Sequence, residues 1–320
     1  MKAFSVPCLA AAGMLLASAA AAQTVKITPL GSHEGEFCRF DRAMVLEDPN
    51  GTRVLYDAGR TVRGPKDPRL GAIDAVLLSH VHGDHLGDRH QPSPNAGECG
   101  DPDVSVAVVP VSNTVLITVE KNAKLVVGAE MASFFAKKVA AAGGDAGQVQ
   151  LARYGGVRDV GGVKIYSVPA VHSNGLNPAF LEGAHAEALK ESGLTAYLGP
   201  PGGYVVEFTN GLTVYLSGDT GHTAEQDAVV RRRFGAELVV MNIGGIFTTG
   251  PVEAAFVINE LVRPKAVIAS HANEEATSGG KVKAGTKTAT FTEATSVPVY
   301  PALSDRTMEF DGGGSCTAGC

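Results

Sequence analysis

The chain of 320 residues is 44% hydrophobic and 19% charged, so it has enough apolar material for a large buried core and no signature of disorder. Its 33 acidic residues outnumber its 27 lysines and arginines, giving a net charge of −6, and no basic stripe is present to bind nucleic acid. The 39 glycines indicate many tight turns between short strands.

Residues 1–22 have the pattern of a secretory signal peptide. Lys2 gives a positive start, residues 9–22 are almost all apolar, and the small residues Ala20-Ala21-Ala22 form a cleavage site. A membrane anchor is the alternative, but it needs about 20 continuous apolar residues, and Pro7 and the small-residue end argue against it. We therefore expect a periplasmic or secreted protein that has no membrane segment after signal removal.

Strand patterns dominate the first part of the mature chain. Asn50-Gly51 between two apolar runs predicts a β-hairpin, and the continuous apolar run at 73–78 is typical of a strand buried on both faces. Residues 88–114 are rich in proline and glycine and are predicted to form a loop. The elements predicted here are strands at 25–29, 43–46, 53–56, 73–78 and 126–127 and a helix at 129–142.

The second part of the chain interleaves strands and helices. The predicted strands cover 163–168, 204–208, 213–216, 238–241 and 266–269, and the predicted helices cover 185–192 and 251–262. Such interleaving favours an α/β fold with a mixed, largely buried sheet system. Since neither an internal repeat nor a linker is visible, we expect one domain over residues 23–320.

Four cysteines follow the signal region, at positions 38, 99, 316 and 320. An even number in an exported protein permits disulfides, and four cysteines allow three pairings. Cys316 and Cys320 could join locally in the glycine-rich tail, which would leave Cys38 for Cys99. Free thiols on loops are the alternative, and the sequence does not decide between them.

Four predicted strands end at a side chain that could bind a metal: His80, His172, Asp219 and His271. Sites in α/β proteins form where strand ends meet loops, so these four side chains can converge on one cluster. Taken singly, Asp219 would be an ordinary turn residue in Gly-Asp-Thr-Gly, and His172 an ordinary loop histidine.

The strongest local signal is Ser79-His80-Val81-His82-Gly83-Asp84-His85. In an extended segment His80 and His82 point the same way, and Gly83 then allows a turn that brings Asp84 and His85 to a second position nearby. Imidazole and carboxylate ligands suit zinc and also iron or manganese. The alternative is that these polar residues simply form the start of a helix, with Asp84 as the N-cap.

The segment His80 to His85 resembles the His-x-His-x-Asp-His signature of the metallo-β-lactamase superfamily, and the later order His172, Asp219, His271 matches its remaining metal ligands. The stretches at 202–207, 217–221 and 243–251 are similar to a branch of metal-dependent hydrolases related to ascorbate-phosphate lactonases. The resemblance implies an αββα sandwich, with two mixed β-sheets flanked by helices and a metal site at one edge.

Carried over by residue, the resemblance implies two metal positions. The first would be held by His80, His82 and His172, and the second by Asp84, His85 and His271, with Asp219 bridging both. We expect two divalent ions, zinc before manganese or iron. The chain departs from the branch in its long segments 88–123 and 174–200 and in Thr249, where a methionine is expected, and these departures bear on the substrate.

The resemblance implies a binuclear hydrolase in which two cations acidify a shared water. Asp84 is expected to bind metal, to orient the resulting hydroxide and to help protonate the leaving group. His222 is a candidate substrate contact, and the alternative is that it is a solvated loop histidine. We expect a small-molecule substrate, most simply a lactone or other cyclic ester or amide, which segment 174–200 would help select. The alternatives are a phosphodiesterase or nuclease and a periplasmic metal-binding protein without turnover. The oligomeric state is not predicted.

Overall fold

The computed structural model describes Met1 and residues 23–320. The predicted signal peptide therefore lies, apart from Met1, outside the described residues. Two large sheets organise the remainder of the chain, and each has an antiparallel part and a parallel part. No helix within residues 23–320 is long and apolar enough to cross a membrane.

The first sheet has eight strands. Three parallel pairings join its first four strands, and the other four strands pair antiparallel. In spatial order the strands are Val149–Leu151, Lys124–Val127, Ala75–Leu77, Arg53–Tyr56, Met44–Glu47, Val25–Pro29, Met308–Phe310 and Cys316–Ala318.

The second sheet has seven strands. Its first four strands pair antiparallel, and its last four are joined by three parallel pairings. In spatial order the strands are Val157–Val160, Val163–Pro169, Gly202–Glu207, Thr213–Leu216, Leu238–Asn242, Ala266–Ser270 and Val299–Pro301. Four two-stranded ladders of two-residue strands lie outside the large sheets.

Alternating side chains of the first sheet enter two different cores. Leu46, Val54 and Leu77 lie in the core shared with the second sheet, whereas Val45 and Val76 belong to a separate apolar cluster on the opposite face. Because side chains of a strand alternate between its two faces, a sheet that is apolar on both faces must be covered on both. The layers are therefore helix, sheet, sheet and helix, and the predicted αββα sandwich is confirmed.

The helices cover the outer faces of the two sheets. On the first sheet, Asn113–Glu120 and Met131–Ala141 supply Val115, Ile117 and Phe135 to the outer apolar cluster. The remaining helical segments are Gly83–Leu86, Ala146–Gln148, Pro178–Phe180, Gly183–Glu191, Gln226–Phe234, Pro251–Phe256, Val257–Val262 and Lys287–Ala294.

The prediction omits the helices Gln226–Phe234 and Lys287–Ala294, and it also omits Asn113–Glu120, whose residues 113 and 114 it places in a loop. This last segment is rich in β-branched residues, which are poor helix formers. Its helix is stabilised instead by the Ser112 side chain, which accepts from the Val115 N–H at 3.2 Å, and by burial of Val115 and Ile117. The strands of the large sheets that the sequence analysis did not predict are Val149–Leu151, Val157–Val160, Val299–Pro301, Met308–Phe310 and Cys316–Ala318.

Residues 23–320 contain two disulfides, Cys38–Cys99 and Cys316–Cys320. The second bond is the local pairing that the sequence allowed, and the first fastens residues 38–42 to the long segment 88–123. The Arg39 N–H also donates to the Cys99 carbonyl at 3.1 Å. This attachment matters because residues 39–42 lie beside the polar cluster described next.

Candidate metal centre

The histidine-rich segment turns sharply just beyond the strand Ala75–Leu77. His82 caps the short helix Gly83–Leu86, and its carbonyl accepts from the N–H groups of His85 and Leu86, each at 3.0 Å. A side chain at Gly83 would collide with the Asp88 carboxylate, so a glycine is required there. The tight turn exposes the side chains on either side of it to one common space.

Three further side chains reach the same space from the second sheet. His172, Asp219 and His271 each follow a strand: Val163–Pro169, Thr213–Leu216 and Ala266–Ser270, respectively. His271 adopts a left-handed backbone conformation (φ 52°), which is uncommon for a residue other than glycine and is typical of functional positions. The four strand ends singled out in the sequence therefore meet at one edge of the sandwich.

The first ligand group consists of His80, His82 and His172. Nδ1 of His82 lies 3.0 Å from Nε2 of His80 and 3.2 Å from Nε2 of His172. The other His82 nitrogen, Nε2, lies 3.3 Å from the Ser173 hydroxyl, which fixes the orientation of the ring. Three imidazole nitrogens thus converge as the ligands of one cation do.

The second ligand group consists of Asp84, His85 and His271. Asp84 Oδ2 lies 3.6 Å from Nε2 of His271 and 3.8 Å from Nε2 of His85. Asp219 stands between the two groups. Its Oδ1 is 3.3 Å from His85 Nε2, and its Oδ2 is 3.1 Å from His271 Nε2 and 3.7 Å from His172 Nε2.

The cluster contains polar atoms that no protein group satisfies. Nε2 of His85, Oδ1 of Asp219 and both ring nitrogens of His271 are buried and accept or donate no hydrogen bond among the described residues. Buried polar atoms without partners are costly and rare. Since all these side chains are metal-ligand types, divalent cations fit the site, and five imidazoles with two carboxylates suit zinc, iron or manganese.

The histidines of the first group are held neutral. Burial lowers the pKa of His80 well below its usual value and that of His82 to about 4, and each is lowered further by the neighbouring imidazoles. Burial also lowers the pKa of His172. A neutral imidazole is the form that binds a cation, so these three residues are ready to ligate at neutral pH.

The second group behaves differently because carboxylates surround it. Burial works against the ionised acids, but His85 and His271 hold the pKa values of Asp84 and Asp219 well below their usual range. Burial likewise opposes a charge on His85, yet the carboxylates of Asp219, Asp84 and Asp57 raise the pKa of His85 well above its usual value. Proton and cation therefore compete for this imidazole.

Asp57 supports ligands in both groups. Its Oδ2 accepts from His85 Nδ1 at 2.8 Å and from the Ser79 hydroxyl at 2.8 Å, and Oγ of Ser79 lies 3.0 Å from Nδ1 of His80. Carboxylates in this position orient histidine ligands. Sequence reasoning missed Asp57, although it follows the strand Arg53–Tyr56 in the same way that the other acidic and histidine residues follow theirs.

Arg42 also contacts the ligand set and was not predicted. Its Nε and Nη2 donate to Oδ2 of Asp84 at 3.3 and 3.2 Å, and Nη2 donates to Oδ1 of Asn273 at 2.6 Å. Its Nη1 donates to the carbonyls of Arg39 and Asp41 at 3.2 and 3.1 Å. Every guanidinium nitrogen is thus engaged, so Arg42 positions Asp84 and has little capacity left for a ligand.

A cavity of about 490 Å³ opens over the two groups. Phe40, Ile246 and Phe247 line it together with the metal-type side chains, and Ile246 and Phe247 are 93% and 73% exposed. The cations on its walls are already partnered. Arg60 forms a two-point ion pair with Asp88 at 2.7 and 2.8 Å, and the Lys287 ammonium donates to backbone carbonyls at 2.6 and 3.1 Å.

His222 lies away from the ligands. It is exposed, its ring stands 6.2 Å from that of Phe256, and it does not line the cavity, so the structure does not place it as the substrate contact considered above. The preceding Gly221 N–H donates to the Val171 carbonyl at 3.1 Å, which fastens the chain just before His222.

Segment 174–200 also lies outside this cavity, contrary to the expectation that it selects substrate. Leu176 and Phe180 are buried in the outer apolar cluster. Oδ1 of Asn174 accepts from the Val81 N–H at 2.9 Å, between two ligand histidines. The segment is therefore part of the packing that supports the ligands.

The sequence model of the beta-lactamase superfamily domain matches residues 52–272, a range that includes every ligand candidate. A UPF0173 metal-dependent hydrolase from Pelotomaculum thermopropionicum is 32% identical over 249 residues, covering 78% of this chain and 85% of the relative. Another UPF0173 metal-dependent hydrolase, from Cupriavidus necator, is 30% identical over 245 residues, covering 71% of this chain and 69% of the relative. The chain belongs to the metallo-β-lactamase superfamily of metal-dependent hydrolases.

Solved structures show the same fold as this hydrolase. A metallo hydrolase from the archaeon Ignicoccus hospitalis gives a TM-score of 0.58 at 19% identity, covering 90% of this chain and 99% of that protein. The metallo-beta-lactamase fold protein YhfI from Bacillus subtilis gives a TM-score of 0.55 at 12% identity, covering 90% of this chain and 99% of that protein. At these identities the likeness concerns the architecture alone.

Proposed function

We propose that this hydrolase holds two divalent cations, zinc in the first instance, and opens a neutral lactone or other cyclic ester or amide outside the cytoplasm. The position of Asp219 carries the proposal. It lies within 4 Å of imidazole nitrogens from both ligand groups, with 3.7 Å to His172 on one side and 3.1 Å to His271 on the other. A carboxylate so placed can bridge two cations.

Bound cations would acidify a shared water and polarise the scissile carbonyl oxygen. The protein then has to orient that water and move its proton, and Asp84 is placed to do both. Its side chain is 25% exposed and lines the cavity. The contacts of Asp84 with Arg42, His85 and His271 all go to Oδ2, which leaves Oδ1 to hold a water and take up its proton.

The charges of the cavity favour a neutral substrate. A phosphodiester carries a negative charge and is recognised by unpaired arginines and lysines. Here Arg42, Arg60 and Lys287 are all engaged by protein groups, and Arg39 pairs with Asp101 at 3.3 Å. The exposed apolar side chains of Ile246 and Phe247 instead offer a surface to the hydrocarbon part of a substrate. These features support the carbonyl substrate over the phosphodiesterase or nuclease alternative.

Export is proposed on two grounds: the signal-like pattern of residues 1–22, and the disulfide Cys38–Cys99, which forms and persists in oxidising compartments. The test is to express the full chain with its own leader, fractionate the cells and determine the amino-terminal residue by mass spectrometry. Processed protein beginning near residue 23 in the periplasm or medium is expected. Unprocessed protein that stays in the cytoplasm would contradict export.

The decisive experiment is a substrate panel assayed with zinc-, manganese- and iron-loaded protein. The panel contains γ- and δ-lactones, a cyclic amide and a chromogenic phosphodiester, and the His82→Ala variant serves as the control for contaminating activity. The expected result is that the wild-type protein hydrolyses the lactones and that His82→Ala does not. Preferential phosphodiester cleavage would support the nuclease alternative, and binding of two metal equivalents without turnover of any substrate would support a metal-binding protein.

A further inference from the structure

A second cavity of about 350 Å³ lies at the same edge of the sandwich, and its lining shares no residue with that of the metal cavity. It opens where the strands Lys124–Val127 and Val149–Leu151 of the first sheet end, and where the second sheet presents Ser167 and Gly202. A cavity of this size can enclose a small organic molecule. None of the metal-ligand candidates contributes to its wall.

A serine that is almost fully buried presents its hydroxyl to this cavity. Ser167 follows Val163 and Ile165 at the spacing of one strand face, and both of those residues lie in the core between the sheets. Ser167 therefore points inward, where it is only 3% exposed and lines the cavity. No side-chain hydrogen bond within residues 23–320 involves its Oγ, which reaches the cavity instead of being sealed in the core, so the hydroxyl is free to bond a ligand or a water.

Two features beside the hydroxyl, a helix N-terminus and an arginine, favour an anion. The eleven-residue helix Met131–Ala141 begins at the cavity, so the partial positive charge of its N-terminus faces the space. Arg153 stands at the rim and forms no ion pair within the described part of the chain. Glu130 is also on the rim, with its carboxylate packed against Gly199. The two side-chain charges balance, and the helix terminus leaves a small positive excess, which suits a monoanion better than a dianion.

The aromatic residues of the lining present their rings, and not their hydroxyl groups, to the cavity. Tyr204 and Tyr154 line the cavity, but the Tyr204 hydroxyl shares its proton between the carbonyls of Leu78 and Val126 at 2.7 and 3.0 Å, and the Tyr154 hydroxyl donates to that of Pro201. Their rings therefore remain for contact with a ligand, and the buried Met131 side chain lies beside them. Aromatic rings and a thioether are suited to a hydrocarbon group.

We propose that this cavity binds a small monocarboxylate with an aromatic or aliphatic body, independently of the hydrolase reaction. The carboxylate would lie between the Ser167 hydroxyl, the helix N-terminus and Arg153, and the hydrocarbon would pack on Tyr154 and Tyr204. Ser79 lies between the two sites: it lines the cavity, donates to Asp57 at 2.8 Å and stands 3.0 Å from His80 Nδ1.

The test is calorimetric titration of the full mature protein with benzoate, phenylacetate and hexanoate, and with inorganic phosphate as the dianionic probe. At least one monocarboxylate is expected to bind more tightly than phosphate. Ser167→Ala and Arg153→Gln should each weaken its binding by about tenfold, the usual effect of losing a hydrogen bond to a charged group, and Glu130→Gln should tighten it. Arg89→Gln, which removes an exposed arginine outside this cavity, is the matched control and should leave it unchanged.

Carboxylates also bind metal ions, so each titration is repeated after chelation of the metal. Binding that survives the chelator and responds to Ser167→Ala supports the proposal. Binding that the chelator abolishes and both cavity variants leave intact would place the carboxylate on the metal and overturn it. Absence of binding by all three monocarboxylates, or tighter binding of phosphate, would overturn it as well. Circular dichroism of each variant establishes that an effect is not one of misfolding.

Discussion

Arg42 donates from both Nε and Nη2 to a single carboxylate oxygen of Asp84, at 3.3 and 3.2 Å. The guanidinium is buried, with 2% of its side chain exposed, and its remaining donors are taken by Asn273 and backbone carbonyls. The carboxylate that the proposed reaction uses is therefore held by the segment 38–42, which a disulfide ties to the long segment 88–123.

The first prediction concerns this ion pair. Arg42→Lys keeps the charge but cannot reproduce the fork that holds Asp84 and Asn273 together. We expect kcat to fall by roughly 10- to 100-fold, the usual effect of removing the group that orients a ligand, while the KM of a neutral lactone changes little. Arg60→Gln is the control, because Arg60 lines the same cavity but pairs with Asp88. Equal losses in both variants would contradict the positioning role.

Asp84→Asn separates catalysis from metal storage. Six other ligand candidates remain in the variant, so saturating metal should restore occupancy. Asparagine cannot accept a proton, and general acid–base groups contribute about 10²- to 10⁴-fold. We expect kcat to fall by that order at matched metal content, measured by elemental analysis beside each assay. An Asp84→Asn protein with full metal and nearly full turnover would refute the assigned role.

Asp57→Asn tests the support of the second ligand group. Asp57 has a left-handed backbone (φ 43°) that asparagine tolerates well, so the variant should fold without added strain. The amide replaces a carboxylate that accepts from His85 Nδ1 at 2.8 Å, and we expect metal affinity to fall by roughly 10- to 100-fold. Competition with a metal indicator measures it. The larger loss is expected at the second of the two positions, because His85 contacts Asp57 directly, whereas His80 of the first group is reached only through Ser79.

Asp41 predicts a pH dependence of stability. Burial raises the pKa of Asp41 from 3.8 to about 6, against the opposing hydrogen bonds from the Cys38 and Ser32 N–H groups. The folded state thus binds this proton more tightly than the unfolded state, so this contribution to the free energy of unfolding falls as the pH rises between those values. The fall is about 3 kcal/mol at about 1.4 kcal/mol per unit.

The variant Asp41→Asn lacks that proton. It is expected to show a flatter dependence of the free energy of unfolding on pH between about 4 and 6, although its absolute stability also falls because the amide offers one acceptor in place of two. Urea unfolding at several pH values gives both quantities. Parallel curves for Asp41→Asn and the wild type over this range would show that Asp41 does not titrate there.

The ligand positions were predictable because their signals are local. Each lies within a short motif or directly after an apolar strand, and strand ends meet at a sheet edge whatever the loops do. Asp57 obeys the same rule and could have been found by applying it to one more strand. By contrast, Arg42 carries no local signal, since its partner Asn273 is 231 positions away in the sequence and only the folded sandwich brings them together.

The missed helix Asn113–Glu120 and the placement of segment 174–200 away from the metal cavity share another cause. Asn113–Glu120 has weak intrinsic helix propensity and exists because Val115 and Ile117 are buried on the first sheet. Segment 174–200 follows a ligand and was expected to contact substrate, but Leu176 and Phe180 draw it into the outer apolar cluster. In both cases tertiary packing decides the outcome, and packing partners distant in sequence are not visible in one sequence.

Because of the Cys38–Cys99 disulfide, the geometry of the metal cavity in a sample depends on whether the protein was kept oxidised. Arg39, Phe40 and Arg42 form one side of the metal cavity, and in reduced protein only noncovalent contacts would hold that side to the segment around Cys99. Protein made in a reducing cytoplasm, or purified with thiols, would present a less defined pocket and a less firmly held Asp84. A negative screen on such material would say nothing about substrate, so thiol content has to be measured before any inactive sample is interpreted.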